Sequence, residues 1–201
     1  MSAPTSPPRD GRRAGLVAVV TLAGVMWVAE IVDLVLGGRL DLLGIEPREA
    51  DGLTGVVLAP LLHVDFGHLL ANTAPFLVLG AVVALGGLAR LAAVTAIVTV
   101  VSGLGTWLFG AEGSLHVGAS GVVFGFATYL VARGLFDHRL HYLAIGLLVA
   151  LVYGSTLLFG LVPRPGVSWQ GHLFGALGGL IAARVLAARR PLRRTAGGRP
   201  A

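Results

Sequence analysis

The chain has 201 residues, 55% of them apolar and only 12% charged, and its mean hydropathy is +0.84. A soluble domain carries about twice that charged fraction, so a water-soluble globule is excluded and lipid must solvate most of the chain. Cysteine is absent, which excludes a disulfide scaffold, a thiol nucleophile and a thiolate metal site; the net charge of +5 comes from arginine alone.

Taken in chain order, charged residues divide the sequence into apolar windows. Ala14 to Ala29 is the first, closed by Glu30 and Asp33 and extended by Leu34 to Leu36. No Asp, Glu or Arg then interrupts Asp65 to Arg90, Arg90 to Glu112, Glu112 to Arg133, His141 to Arg164 or Arg164 to Arg184. Each window approaches the ~20 residues that cross a hydrocarbon layer as a helix. Six spans are predicted, at 14–36, 65–88, 91–109, 118–132, 142–161 and 169–187, making an all-α polytopic bundle. Residues 1–13 and 190–201 read as basic tails flanking one domain over 14–189. Arg12 and Arg13 before an apolar run resemble a secretory leader, but no small-x-small site follows, and Trp27, Glu30 and Asp33 occupy the place of one.

Arginine placement orients the bundle. With a cytoplasmic N-terminus, Arg9, Arg12, Arg13, Arg90, Arg133, Arg139, Arg184, Arg189, Arg190, Arg193, Arg194 and Arg199 share the cytoplasmic side. Only Arg39, Arg48 and Arg164 lie outside, as the positive-inside rule requires. The basic tail therefore reads as an anchor beside anionic lipid, and nucleic acid is excluded as a partner. Trp107 and Trp169 fall near the outer ends of spans three and six, where an interfacial belt belongs.

Polar residues at depth cost energy unless they work or pair. Four stand out: His68 and Asn72 in span two, Ser120 at the head of span four and His172 at the head of span six. These spans run inward from outside, so all four share one depth just below the outer surface. Span four carries Gly121 and Gly125, and span six Gly171, Gly175 and Gly179, stripes that let helices approach backbone to backbone. If the stripes pack together, Ser120 and His172 come within reach as a nucleophile and its general base. Each signal alone has a plainer reading. Small-xxx-small spacing is common in membrane helices, a Ser often bonds its own helix, and His68 with Asn72, on one face, could bridge two helices.

The residues Gly118-Ala119-Ser120-Gly121 resemble the GxSG motif of rhomboid intramembrane serine proteases. His68-x-x-x-Asn72 resembles the His-x-x-x-Asn of their second helix. His172-x-x-Gly175-x-x-x-Gly179 resembles the motif of their sixth, and the order agrees with the bacterial six-helix form. The resemblance implies a serine-type endopeptidase with Ser120 as nucleophile and His172 as base in a Ser-His dyad. The Ser120 N–H with the His68 and Asn72 side chains would form the oxyanion hole. It implies supporting roles for Gly118, Gly121, Gly175 and Gly179, a structural His63, and Phe124 where many members stack a Tyr on the catalytic His. The first outer loop, 37–64, lacks the Trp-Arg pair of some members.

Span four, counted as Gly118 to Ala132, is too short to cross alone, so its outer end should lie in a depression that water enters from outside. The expected substrate is a transmembrane segment of a membrane protein, reached sideways past span five and unwound before cleavage. No cofactor is called for. A metal would find few ligands, since His63 would stand about 140° round a helix from His68 and no His-Glu-x-x-His occurs.

Glu30 and Asp33 are expected to face water or cap, and Asp41, Glu46, Glu49 and Asp51 to lie in a solvated loop. His138 and His141 fall on the cytoplasmic side, while His116 either bonds into the outer loop or touches substrate. A catalytically inactive rhomboid-like protein that binds membrane clients, or a small transporter using His68, Asn72 and His172, are the rival readings. A transporter would spread its polar groups through the depth of the membrane. The sequence leaves the oligomeric state open.

Overall fold

A computed structural model describes residues 9–137 and 140–187; the expected basic tail at 190–201, most of that at 1–13, and His138 and Arg139 lie outside them. The described residues form six long helices: α1 (Arg9–Leu36), α2 (Phe66–Ala84), α3 (Leu88–Phe109), α4 (Ser120–Asp137), α5 (Leu140–Gly160) and α6 (Trp169–Val185). Four of them, α1, α2, α3 and α5, are long and apolar enough to cross a membrane. The two glycine-striped helices, α4 and α6, fall short of that measure, yet all six predicted spans are helices, in the predicted order. The protein is a multi-pass membrane protein in which α4 and α6 pack inside a frame of more apolar helices.

Boundaries follow local chemistry. α1 is already helical at Arg9, the first described residue, ahead of its apolar window; arginine is a good helix former and does not interrupt it. It ends where Gly37 and Gly38 take left-handed φ of 69° and 80°. Asp65 caps α2, its carboxylate accepting from the His68 N–H at 2.7 Å. α4 runs to Asp137, further than the predicted end at Ala132, because Arg133 is accommodated: its guanidinium bonds the Tyr142 hydroxyl and covers that ring at 3.8 Å.

The predicted outer loop is far more ordered than a solvated connection. Short helical turns at Asp41–Leu43, Asp51–Leu53, Gly55–Leu58 and Ala59–Leu61 bury Ile45, Val56, Ala59 and Leu62. Ile45 pairs with His116 through two backbone hydrogen bonds. Arg48, at φ 63°, donates to the Leu108 and Gly110 carbonyls at the end of α3 and pairs with Glu112. Those carbonyls are left over by the helix end, which is where a cation is favoured. Glu46, Glu49 and Asp51 are exposed, as expected. Glu30 and Asp33 are not water-facing: both are buried, and Asp33 accepts from the Leu40 N–H at 2.6 Å, which ties α1 to the loop. Asp41 is only half exposed; burial first, and then the neighbouring Asp33, pushes its carboxyl up to about 6.

The core is one cluster, with Val19 and Met26 from α1, Leu69, Phe76 and Leu79 from α2, Val94 and Val98 from α3, and Val122, Phe126 and Tyr129 from α4. Outward faces stay apolar: Val20 and Val35 on α1, and Leu147, Leu151 and Leu158 on α5, are exposed. Lipid is the solvent that accepts them. α6 lies between α3 and α4, and α5 packs mainly on α4.

The α4–α6 seam is backbone against backbone. A Cβ at Gly175 would run into the Gly121 carbonyl, and one at Gly179 into that of Gly125. Thr128 Oγ1 reaches across to the Ala176 carbonyl at 2.9 Å. Gly175→Ala is therefore expected to cost about 1–3 kcal/mol and to lower the thermal unfolding midpoint in detergent. Gly154→Ala, whose new methyl meets nothing within 4 Å, should leave it unchanged. Equal midpoints for the two variants would contradict this packing.

Candidate active site

The close seam brings the first turns of α4 and α6 together. Ser120 Oγ lies 2.8 Å from His172 Nε2. On its other side His172 Nδ1 lies 2.7 Å from the Gly160 carbonyl at the end of α5. A carbonyl only accepts, so Nδ1 carries the ring proton and Nε2 offers its lone pair to the serine hydroxyl. The Phe124 ring stacks on the imidazole with centroids 4.2 Å apart and planes 8° from parallel. Phe124 thus holds the ring face without the hydroxyl of a tyrosine.

His68, third residue of α2, is set by the Asp65 cap and packs on the turn before Ser120. A Cβ at Gly118 would sit 2.6 Å from His68 Cε1, and Gly118 has φ 117°, so glycine is required there twice over. Asn72 is buried one turn below; its amide donates to the His68 carbonyl at 2.9 Å and keeps a second N–H.

The GxSG turn is pinned from behind. The Gly118 N–H donates to the Ala59 carbonyl at 2.8 Å, and the Ala119 N–H to His63 Nε2 at 3.4 Å. His63 precedes α2 rather than riding on it, so its predicted angular separation from His68 does not apply. Its ring stands edge-on to His68 at 5.2 Å. Burial, followed by His68, pushes the His63 imidazole down to about 4, with the Leu61 backbone opposing. Neutral His63 is what the Ala119 contact needs.

His116 bonds within the loops at this end of the bundle. Its Nε2 lies 2.8 Å from Ser114 Oγ and its Nδ1 2.8 Å from Ser168 Oγ, and burial lowers its basicity. The loop before α4 is thereby joined to the residue that opens α6. Beside Ser120 is a small cavity of about 30 Å³, room for about one water, lined by Ser102, Thr106, His116, Ser168 and Gly171 among others.

Three participants escaped the sequence reading. Ser102 donates to the Gly171 carbonyl at 2.8 Å, and Thr106 to the Ser102 carbonyl. Their i, i+4 spacing in an apolar span was a usable signal. Gly160 gave none, because what it contributes is backbone. Among the described residues no group of three His, Asp or Glu side chains stands ready to hold a metal.

A rhomboid domain model matches residues 50–189, an interval that holds every residue of this cluster. The chain belongs to the rhomboid family. An uncharacterized protein of Mycobacterium tuberculosis is 46% identical over 183 residues, covering 87% of this chain and 76% of that protein. Another, of Mycobacterium leprae, is 42% identical over 190 residues, covering 90% of this chain and 74% of its own.

Because His63 is held neutral, the unfolded chain binds more protons than the folded one between its ordinary 6.5 and about 4. Stability from this site is full above pH 6.5 and drains as pH falls through that window. In His63→Gln, whose amide oxygen can still accept from Ala119, the unfolding midpoint should fall less steeply between pH 7 and 4. Scans in detergent giving the same slope for both proteins would exclude His63 as the source.

Proposed function

We propose that this protein is an intramembrane serine endopeptidase that hydrolyses peptide bonds in or near transmembrane segments through a Ser120–His172 dyad. The observation that carries the reading is the 2.8 Å contact between Ser120 Oγ and His172 Nε2, made by side chains of two different helices. Rhomboid membership agrees with it.

His172 takes the Ser120 proton as the hydroxyl oxygen attacks the scissile carbonyl, then returns it to the leaving amine. The Ser120 N–H, the second Asn72 N–H and the His68 ring are the donors for the oxyanion; preorganised donors of this kind supply about 10²–10³ in rate each. Water from the cavity beside Ser120 then releases the acyl-enzyme. The chemistry calls for no metal or organic cofactor.

The substrate is the transmembrane segment of a membrane protein in the bilayer. It enters past α5, the helix that packs mainly on α4 and leaves Leu147, Leu151 and Leu158 facing outward. The arginine distribution supports cytoplasmic termini and a site open to the extracytoplasmic side of the cell membrane. On this reading residues 14–189 are the peptidase domain and 1–13 and 190–201 its basic tails. An inactive client-binding relative would have no use for the oriented dyad. A transporter would need polar groups along the whole depth, whereas these gather at one end of α2, α4 and α6.

A fluorophosphonate probe should label Ser120 of the reconstituted protein. Ser120→Ala and His172→Ala should each lower cleavage of a single-pass test substrate by about 10⁴-fold or more with the fold retained. Full cleavage by Ser120→Ala would refute the dyad. Asn72→Ala should lose less, about 10²-fold, since two other donors remain; a loss as large as that of Ser120→Ala would contradict this assignment of the donors.

A further inference from the structure

The last four carbonyls of a helix have no donor within it. At the end of α5 most of that need is met locally. Leu161 N–H donates to the Leu158 carbonyl and Val162 N–H to that of Phe159, each at 3.2 Å, and Arg164 Nη2 also reaches the Phe159 carbonyl. The Gly160 carbonyl is the one directed inward, and it meets His172 Nδ1 at 2.7 Å. Among the described residues no carboxylate is hydrogen-bonded to His172.

Gly160 can bring its carbonyl there only because it lacks a side chain. A Cβ would strike Phe124 Cζ, on the ring stacked against His172, and would stand 3.1 Å from His172 Nδ1 itself. Any side chain at 160 therefore pushes the end of α5 away from the imidazole. The same residue gives the acceptor and leaves room for it.

We infer that the Gly160 main-chain carbonyl is the positioning group of the catalytic base. It fixes the tautomer of His172 and accepts a charge-assisted hydrogen bond when the imidazolium forms, the task a buried carboxylate performs in a Ser-His-Asp triad. This rests on the dyad proposed above. The base is then competent only while the end of α5 is seated. α5 is the least buried of the four long apolar helices, so the element past which substrate enters also carries the group that readies the base. Proton abstraction follows only once α5 has settled back against Phe124 and His172.

The test separates the carbonyl from the helix end as a whole. Replacing Leu161 with its α-hydroxy acid, by nonsense suppression in the full chain, turns the Gly160 carbonyl into an ester carbonyl, a weaker acceptor, and deletes the Leu161 N–H. The same replacement at Val162 deletes an equivalent N–H and leaves the Gly160 carbonyl an amide. Fluorophosphonate labelling in liposomes gives the maximal inactivation rate and the probe's half-saturation separately. The 161 ester should lower the maximal rate about tenfold, the scale of a weakened hydrogen bond to a charged group, with half-saturation within twofold. The 162 ester should stay within twofold of wild type in both, and Gly160→Ala should fall at least as far as the 161 ester. Equal rates for the two esters, or a 161 ester as fast as wild type, would overturn the inference. Failure of the unmodified protein to label at Ser120 would instead overturn the dyad, and is read first.

Discussion

Everything at this site depends on two helices meeting with no side chain between them. Gly121 and Gly125 on α4 face Gly175 and Gly179 on α6 so closely that a single methyl group would strike a carbonyl oxygen. In lipid there is no hydrophobic effect to press apolar helices together, and close van der Waals packing takes its place. The seam sets the depth and rotation of both helices at once. A hydroxyl at the first residue of one and an imidazole in the first turn of the other then meet within hydrogen-bond distance. Thr128 reinforces the seam by donating to the Ala176 carbonyl, and Ser102 on α3 holds α6 from the other side by donating to the Gly171 carbonyl.

The rest of this end of the bundle holds the meeting point in place. The GxSG turn is tied by Gly118 to Ala59 and by Ala119 to His63, and the same loop reaches the start of α6 through His116 and Ser168. Arg48 fastens the first loop to the end of α3, and Asp33 fastens it to α1. The segments between the helices are therefore a connected rim around the Ser120–His172 contact. Arg48 makes its attachment through the Leu108 and Gly110 carbonyls and its ion pair with Glu112.

Much of this was legible in the residues. Charge spacing located the helices because in lipid a run without charge can hardly be anything else, and the glycine intervals identified the seam because their spacing is that of one helix face. Ser120, His172, His68 and Asn72 were visible as polar groups at a shared depth. Less legible were contacts made by main chain or by loops. From the residues alone Asp33 is expected to face water or cap, because nothing local reveals that it will be buried and accept a backbone N–H seven residues on. The ordered loop 37–64 was hidden because its partners, Trp107 to Gly110 and His116, lie some sixty residues away. Helix runs on past the predicted apolar spans at the start of α1 and the end of α4, where Arg12, Arg13 and Arg133 are helical although charge closes the apolar run.

On the proposed mechanism, the contact between Gly160 and His172 bears on how loss of activity would be recognised among chains of this kind. A side-chain acid can be deleted by one codon change and its disappearance noticed; an oxygen of the peptide chain survives every substitution at its own position and is lost only by displacement. Inactive descendants could keep Ser120, His172, His68 and Asn72 intact, and differ from working copies by nothing more than an alanine where the fifth helix stops. Judging such sequences by inventory of reactive groups would count them as enzymes.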